Sequence, residues 1–203
     1  MGTAPGRFVA FEGGEGTGKS TQARILAEHL GAVLTREPGG TPIGARVREI
    51  VLAHDENGLV DRAEALLMAA DRAQHVAEVI RPALAAGRHV VTDRFLGSSL
   101  AYQGHGRGLP VDEIRGLSLW ATAGLEPDLV VLLDVDEAEA QARIGRARDR
   151  LEKAGSAFHR AVADGFRALA EGDQRWVLVP GGGTVAEVTA RVQAVVADRL
   201  ALG

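Results

Sequence analysis

With 203 residues, 46% of them hydrophobic and 25% charged, the chain has the balance of a globular protein with a core large enough to fold unaided. Its 23 Lys and Arg against 27 Asp and Glu leave a net charge of −4, which gives no global basic field for nucleic acid. The lack of cysteine excludes disulfides, thiolate metal sites and cysteine nucleophiles.

MGTAPGR at the N-terminus has no apolar signal-peptide core, and position 6 is Gly where a myristoylation signal needs Ser or Thr. No run approaches a membrane span, so a cytoplasmic protein is expected. The first apolar run, Phe8–Glu12, reads as a buried strand, and GGEGTGKS follows it at once. Gly13, Gly18, Lys19 and Ser20 meet the spacing G-x-x-x-x-G-K-[ST], with Thr21 next. Backbone amides along Gly13, Gly14, Glu15, Gly16, Thr17 and Gly18 can close around phosphate oxygens, and the helix predicted over about 19–30 presents its positive end to them. In that motif Lys19 reaches the β- and γ-phosphates and the Ser20 hydroxyl holds Mg²⁺. The NKxD signature of guanine-specific GTPases is absent, which favours ATP as donor.

A second strand, Ala32–Leu34, leads into Thr35-Arg36-Glu37-Pro38-Gly39-Gly40, and Thr41-Pro42 offers a cap with proline at the first helical position of 43–53. Arg46 and Arg48 lie on that helix. A longer helical pattern covers about 61–86, opened by Asp61 with Glu64 in capping-box spacing. It could pack against a second copy or against the sheet. Arg72 sits within its apolar face, where a plain surface salt bridge would also account for it. The third strand, His89–Thr92, ends on Asp93-Arg94. Strand C-termini line the ligand crevice of a parallel sheet, so a carboxylate there can hold Mg²⁺ and an arginine there can clamp an anion.

Helices follow at about 98–104 and 111–123, then a strand at Leu129–Val135 and a helix at 136–149 opened by Asp136 with Glu139. The last elements are a helix at 156–171, a strand at Trp176–Val179 and a helix at 185–200 opened by Thr184 with Glu187. Strands alternating with helices argue for a parallel sheet covered on both faces, in one domain. Pro180-Gly181-Gly182-Gly183-Thr184 follows the last strand as a loop that either borders a donor base or is a plain strand-to-helix turn.

FEGGEGTGKSTQ, TREPGGTPIG, ADRAQHV, RPALAAG, TDRFLGSSLAYQG and ATAGLEPDLVVLLDVD, in this order, resemble bacterial thymidylate kinase over about residues 8 to 177. The resemblance implies the three-layer α/β fold of P-loop nucleoside monophosphate kinases, a five-stranded parallel sheet with helices on both faces. It also implies transfer of phosphate from ATP, with Mg²⁺, to dTMP, giving dTDP for dTTP synthesis, and a homodimer. Carried over by residue, Glu15 approaches the sugar 3′-hydroxyl, Arg94 holds the acceptor phosphate and Asp93 is the neighbouring acid involved with Mg²⁺. Arg72 meets a thymine carbonyl, Ser99 the base, and Tyr102 crowds the 2′ position. Gln103, Arg36 and Arg48 complete the acceptor side.

Two positions depart from the family pattern. Met68 stands where a phenylalanine usually stacks on thymine, and it either packs its thioether on the base or fills the core. Gly16 occupies the loop position that in one form of the family carries a catalytic arginine, so the lid form is implied, with a lid at about 143–155. Its candidates lie in Ala142-Arg143-Ile144-Gly145-Arg146-Ala147-Arg148-Asp149-Arg150, with Arg146 and Arg148 favoured and Gly145 as a hinge. A solvated helix face with Arg148 paired to Glu152 is the plain alternative. The competing functional readings are another P-loop nucleotide or nucleoside kinase of relaxed base choice and a nucleotide-binding switch without turnover.

Overall fold

The computed structural model describes residues 5–53, 58–143, 150–151 and 154–202. Five strands, β1 (Phe8–Glu12), β2 (Val33–Arg36), β3 (Val90–Asp93), β4 (Leu129–Asp134) and β5 (Trp176–Pro180), form one parallel sheet in the order β2-β3-β1-β4-β5. Each strand lies within about two residues of its expected span. The shift matters at β2 and β3, because Arg36 and Asp93 are strand-terminal residues paired with each other rather than loop residues.

β1 is buried throughout, since both faces of the sheet are covered. Val9 and Phe11 face one layer, α1 (Lys19–Leu30) and α9 (Val185–Leu200), where they meet Leu26, Val192 and Val196. Phe8 and Ala10 face the other, where α3 (Asp61–His75), α4 (Arg81–Ala85) and α6 (Val111–Ala121) supply Ala65, Ala83 and Ile114, with Ile80 from the turn ahead of α4 and Phe95 at the start of α5 (Leu96–Ser99). Toward β4 and β5 that layer is completed by Phe158, Val162 and Phe166 of α8 (Ser156–Gly172), packed on Tyr102 and Leu132. The 61–86 pattern therefore packs on the sheet. A π-helical turn, Val76–Ile80, joins α3 to α4 just ahead of Pro82, whose ring cannot donate to the preceding turn. A second π-helical stretch, Leu100–Gly106, extends α5 and carries Tyr102 and Gln103.

Two helix starts behave as their sequences require. Thr41 accepts from Gly44 N with Pro42 at the first turn of α2 (Pro42–Leu52), and Thr184 with Glu187 forms a full capping box. The other two boxes do not form. Val60 is the N-cap of α3, which leaves Asp61 inside the helix and Glu64 committed elsewhere. At α7 (Glu137–Arg143) Asp136 caps Ala138 N, while Glu139 turns to Arg143. Of the helix expected over 136–149, only the part to Arg143 falls within the described residues. No described helix is long and apolar enough to cross a membrane.

Candidate active site

The loop after β1 lies in the middle of the sheet's C-terminal edge, with β3 and β4 on either side. Gly13 (φ 139°) and Gly16 (φ 73°) adopt backbone that L side chains avoid. A Cβ at either would also approach a carbonyl oxygen, of Leu133 at 2.4 Å or Ala140 at 2.3 Å. Lys19, at the first turn of α1, is buried and folds back over the loop, donating to Gly14 O and, at 3.3 Å, to Thr17 Oγ1. Burial and then Arg94 push its ammonium down to about 8, against the pull of Glu15 and Asp93.

Ser20 Oγ donates to Asp93 Oδ2 at 2.5 Å, and Asp93 Oδ1 is buried without a partner among the described residues. A hydroxyl beside a carboxylate with one orphaned oxygen suits a small hard cation that keeps part of its water shell.

Arg94, one residue beyond β3, has φ 70°, unusual for a non-glycine residue, and is held by its own amide donating to Phe11 O at 2.9 Å. Its guanidinium donates to Gly13 O at 3.0 Å, Ser98 Oγ at 3.1 Å, Tyr102 Oη at 3.2 Å and Glu15 Oε1. Tyr102 donates in turn to Glu15 Oε1 at 2.9 Å. Burial works against ionisation of Glu15, but Arg94 and Lys19 outweigh it and hold the carboxyl at about 2. Burial pushes the Tyr102 phenol well above its usual range, so it stays a neutral donor.

These groups line a cavity of about 200 Å³ with Arg36, Arg48, Met68, Gln103 and Leu151. Arg48 reaches it from α2, donating to Pro38 O at 3.1 Å. Met68 is buried against Val47 and Val51, so it fills the core, and it lines the cavity as well. Gln103 is buried, donates from Nε2 to Glu64 Oε1 at 2.7 Å and has no partner for its own Oε1 among the described residues.

Arg72 and Ser99 do not line the cavity but stand behind its wall. Arg72 is fully buried and donates to Glu37 Oε2 at 2.9 Å, Ser118 Oγ at 3.1 Å, Phe95 O at 3.2 Å and Ser99 Oγ at 3.0 Å. Glu37 also bonds His75 Nδ1 at 2.9 Å, and His75 Nε2 meets Thr35 Oγ1 at 2.6 Å. Arg146 and Arg148, with Gly145, lie outside the described residues. A larger cavity, about 450 Å³, opens on the other side of the glycine loop between α7 and α8. It is lined by Asp134, Glu137, Arg160 and Arg167 and shares Glu15 and Tyr102 with the smaller one, which alone holds Lys19, Ser20, Asp93 and Arg94.

Several contacts were not assigned by the sequence, including those of Glu37, of Glu64 and of Arg143 and Arg150 from the expected lid run. Glu12 accepts from Phe95 N, Ser98 N and Ser98 Oγ, which fixes the turn beneath Arg94, and burial raises its carboxyl to about 7. Glu37 and Glu64 anchor the arginines, Arg150 donates to Glu64 and to Val51 O, and Arg143 donates to Gly181 O at 3.2 Å, tying α7 to the loop after β5. A signal existed on α3, because Glu64, Met68, Arg72 and His75 recur at helical spacing on a buried face.

Fold and site together define a P-loop nucleoside monophosphate kinase. The family model for thymidylate kinase matches residues 11–192. Proteins named thymidylate kinase from Leifsonia xyli subsp. xyli (strain CTCB07) and Clavibacter sepedonicus are 53% identical over 197 residues and 51% identical over 193, covering 93% and 91% of both chains. One from Synechococcus sp. (strain JA-2-3B'a(2-13)) is 50% identical over 201 residues, covering 96% of both. The chain belongs to the thymidylate kinase family.

Proposed function

We propose that the protein transfers the γ-phosphoryl group of ATP in line to the phosphate of dTMP, giving dTDP and ADP. The observation that carries this reading is that Lys19 of the glycine loop and Arg94 just beyond β3, two cationic side chains suited to phosphates, line one cavity together with Ser20 and Asp93. The loop amides and Lys19 would hold the β- and γ-phosphates of the donor along Gly13–Thr21. Arg94 would hold the acceptor phosphate, whose oxygen needs no general base because the dianion already offers a lone pair. Mg²⁺ held by Ser20 and Asp93 would neutralise charge building on the transferred group.

On the acceptor side, Tyr102 is locked by its two hydrogen bonds and would crowd the 2′ position. Such exclusion is worth about 1–3 kcal/mol. Glu15 would take the 3′-hydroxyl, Met68 would pack on the thymine ring and Gln103 Oε1 would accept from its edge. Arg36 and Arg48 would add positive charge at the mouth. Arg72 would hold Ser99 and keep one Nη1–H for a base carbonyl. A lid over about 143–155, carrying Arg146 or Arg148, would close over the donor and exclude water. Leu66 of α3 and Trp120 of α6, with Ile43 and Ile50 of α2, are exposed on neighbouring helices and support a homodimer. Soluble nucleotide substrates support a cytoplasmic location.

The test is ADP release with ATP, Mg²⁺ and each of dTMP, dUMP, UMP, dCMP, AMP and GMP. Activity concentrated on dTMP, with UMP far behind, is expected. Comparable rates on all six would overturn the acceptor assignment, and binding of ATP with no turnover would favour a switch. The same preparation should sediment as a dimer at micromolar concentration, and a monomer there would remove the dimer.

A further inference from the structure

Glu64 is an acidic side chain at 0% exposure on α3 that no step above requires. Its Oε1 accepts from Gln103 Nε2 at 2.7 Å, and its Oε2 accepts from Arg107 Nη2 at 3.1 Å and from Arg150 Nη2. The two guanidinium groups supply the counter-charge a buried carboxylate needs. Burial opposes ionisation, but Gln103, Arg150 and Arg107 together hold the carboxyl below its usual range. An ionised carboxylate accepts hydrogen bonds and never donates, whereas an amide side chain does both through different atoms. Glu64 can therefore face only the NH₂ end of Gln103. The amide oxygen is then the end left for a ligand, and it is the buried atom without a partner among the described residues. A flipped amide would set two acceptors against each other.

We propose that Glu64 is a positioning residue that sets base selectivity by pinning the Gln103 amide with its oxygen toward the acceptor. The inference rests on the dTMP reading above. A thymine or uracil carries an N–H donor at N3, which a fixed carbonyl oxygen satisfies. A cytosine carries a lone pair there, which the same oxygen repels. Selection against cytosine thus lies partly in a residue behind the one that touches the base, and the sign of the contact is set by a charge. Met68 cannot supply this discrimination, because a thioether packs on either ring.

The experiment compares kcat/KM for dTMP and dCMP in the wild-type protein, Glu64→Gln and Glu64→Asp. A neutral amide at 64 can donate or accept, so Gln103 becomes free to flip. The dTMP-over-dCMP ratio should fall at least about tenfold in Glu64→Gln, through KM more than kcat, the order of one misdirected hydrogen bond. Glu64→Asp keeps the acceptor-only chemistry and should restore part of the ratio. An unchanged ratio in Glu64→Gln would overturn the proposal even if overall activity fell. Wild-type protein that ignores dTMP would instead sink the functional reading. A second measurement needs no variant. In nitrogen-15-labelled wild-type protein the Gln103 side-chain NH₂ should keep its slow hydrogen exchange when dTMP binds, since Glu64 holds it. NH₂ resonances that lose protection or track the ligand would refute the pinned orientation.

Discussion

Arg72 and Arg94 stand on the same side of the sheet's C-terminal edge, one behind the cavity wall and one in it, and their bonds run in opposite directions. Arg72 is fully buried, and four of its five N–H donors are spent on Glu37, Ser118, Phe95 and Ser99. Arg94 keeps 14% of its side chain exposed at the cavity and sits on backbone at φ 70°. Its partners, Glu15 and Tyr102, line the same cavity. A guanidinium whose bonds all run into the interior orders the fold around it. One whose bonds end at a cavity can exchange them for a phosphate. The unusual φ of Arg94 fits that second role, since local strain persists where the surroundings over-determine it and is concentrated at functional positions.

The contrast predicts separable losses. Arg94→Ala should lower kcat/KM for dTMP by roughly 10²–10³, the order seen when one charged donor to a reacting group is removed. Its Tm should stay within a few degrees of wild type, because the cavity admits water to Glu15. A loss of Tm as large as that of an interior variant would break the distinction. Arg72→Ala should instead cost stability first, whatever it also costs in dTMP affinity, because it leaves the Glu37 carboxylate buried beside His75 without its cation. Breaking a buried pair costs about 3–5 kcal/mol, which lowers Tm on the order of 10 °C for a chain of this size. Thermal unfolding followed by circular dichroism measures both, and a wild-type Tm for Arg72→Ala would show that the buried pair holds nothing.

The smallest effect sharpens the Arg94 side. The folded pKa of Glu15, about 2, lies below the ordinary value of 4.5. Its stabilising contribution is therefore complete above pH 4.5 and is lost as pH falls toward 2. Glu15→Gln lacks that contribution at every pH. The Tm gap between wild type and this variant should be full and level from about pH 5 upward and close on acidification. A gap that holds constant down to pH 3 would mean that Arg94 does not govern this carboxylate.

The conformation of the glycine-rich loop was legible because its requirements are local. Backbone that only glycine adopts freely, a lysine next to a hydroxyl, and an apolar strand before them are all readable within about twenty residues. Asp93-Arg94 was legible for a similar reason, as charged residues at the end of an apolar run mark the C-terminal edge of a parallel sheet. The start of α3 shows where this fails. Asp61 and Glu64 have the spacing of a capping box, but Glu64 faces the interior and answers Gln103, Arg107 and Arg150. Gln103 lies 39 residues away along the chain and Arg150 lies 86 away, so no local pattern could mark them as partners.

By itself the sequence determined the alternation of strands and helices, the glycine-rich loop after the first strand and the residues at the strand ends. Each of these follows from the chemistry of neighbours along the chain. Only the tertiary structure decided which buried charges meet, Glu37 with Arg72 and His75 and Glu64 with Gln103 and two arginines. A buried charge is stable only when distant partners arrive with matching geometry, and that matching is a property of packed elements rather than of the order of residues.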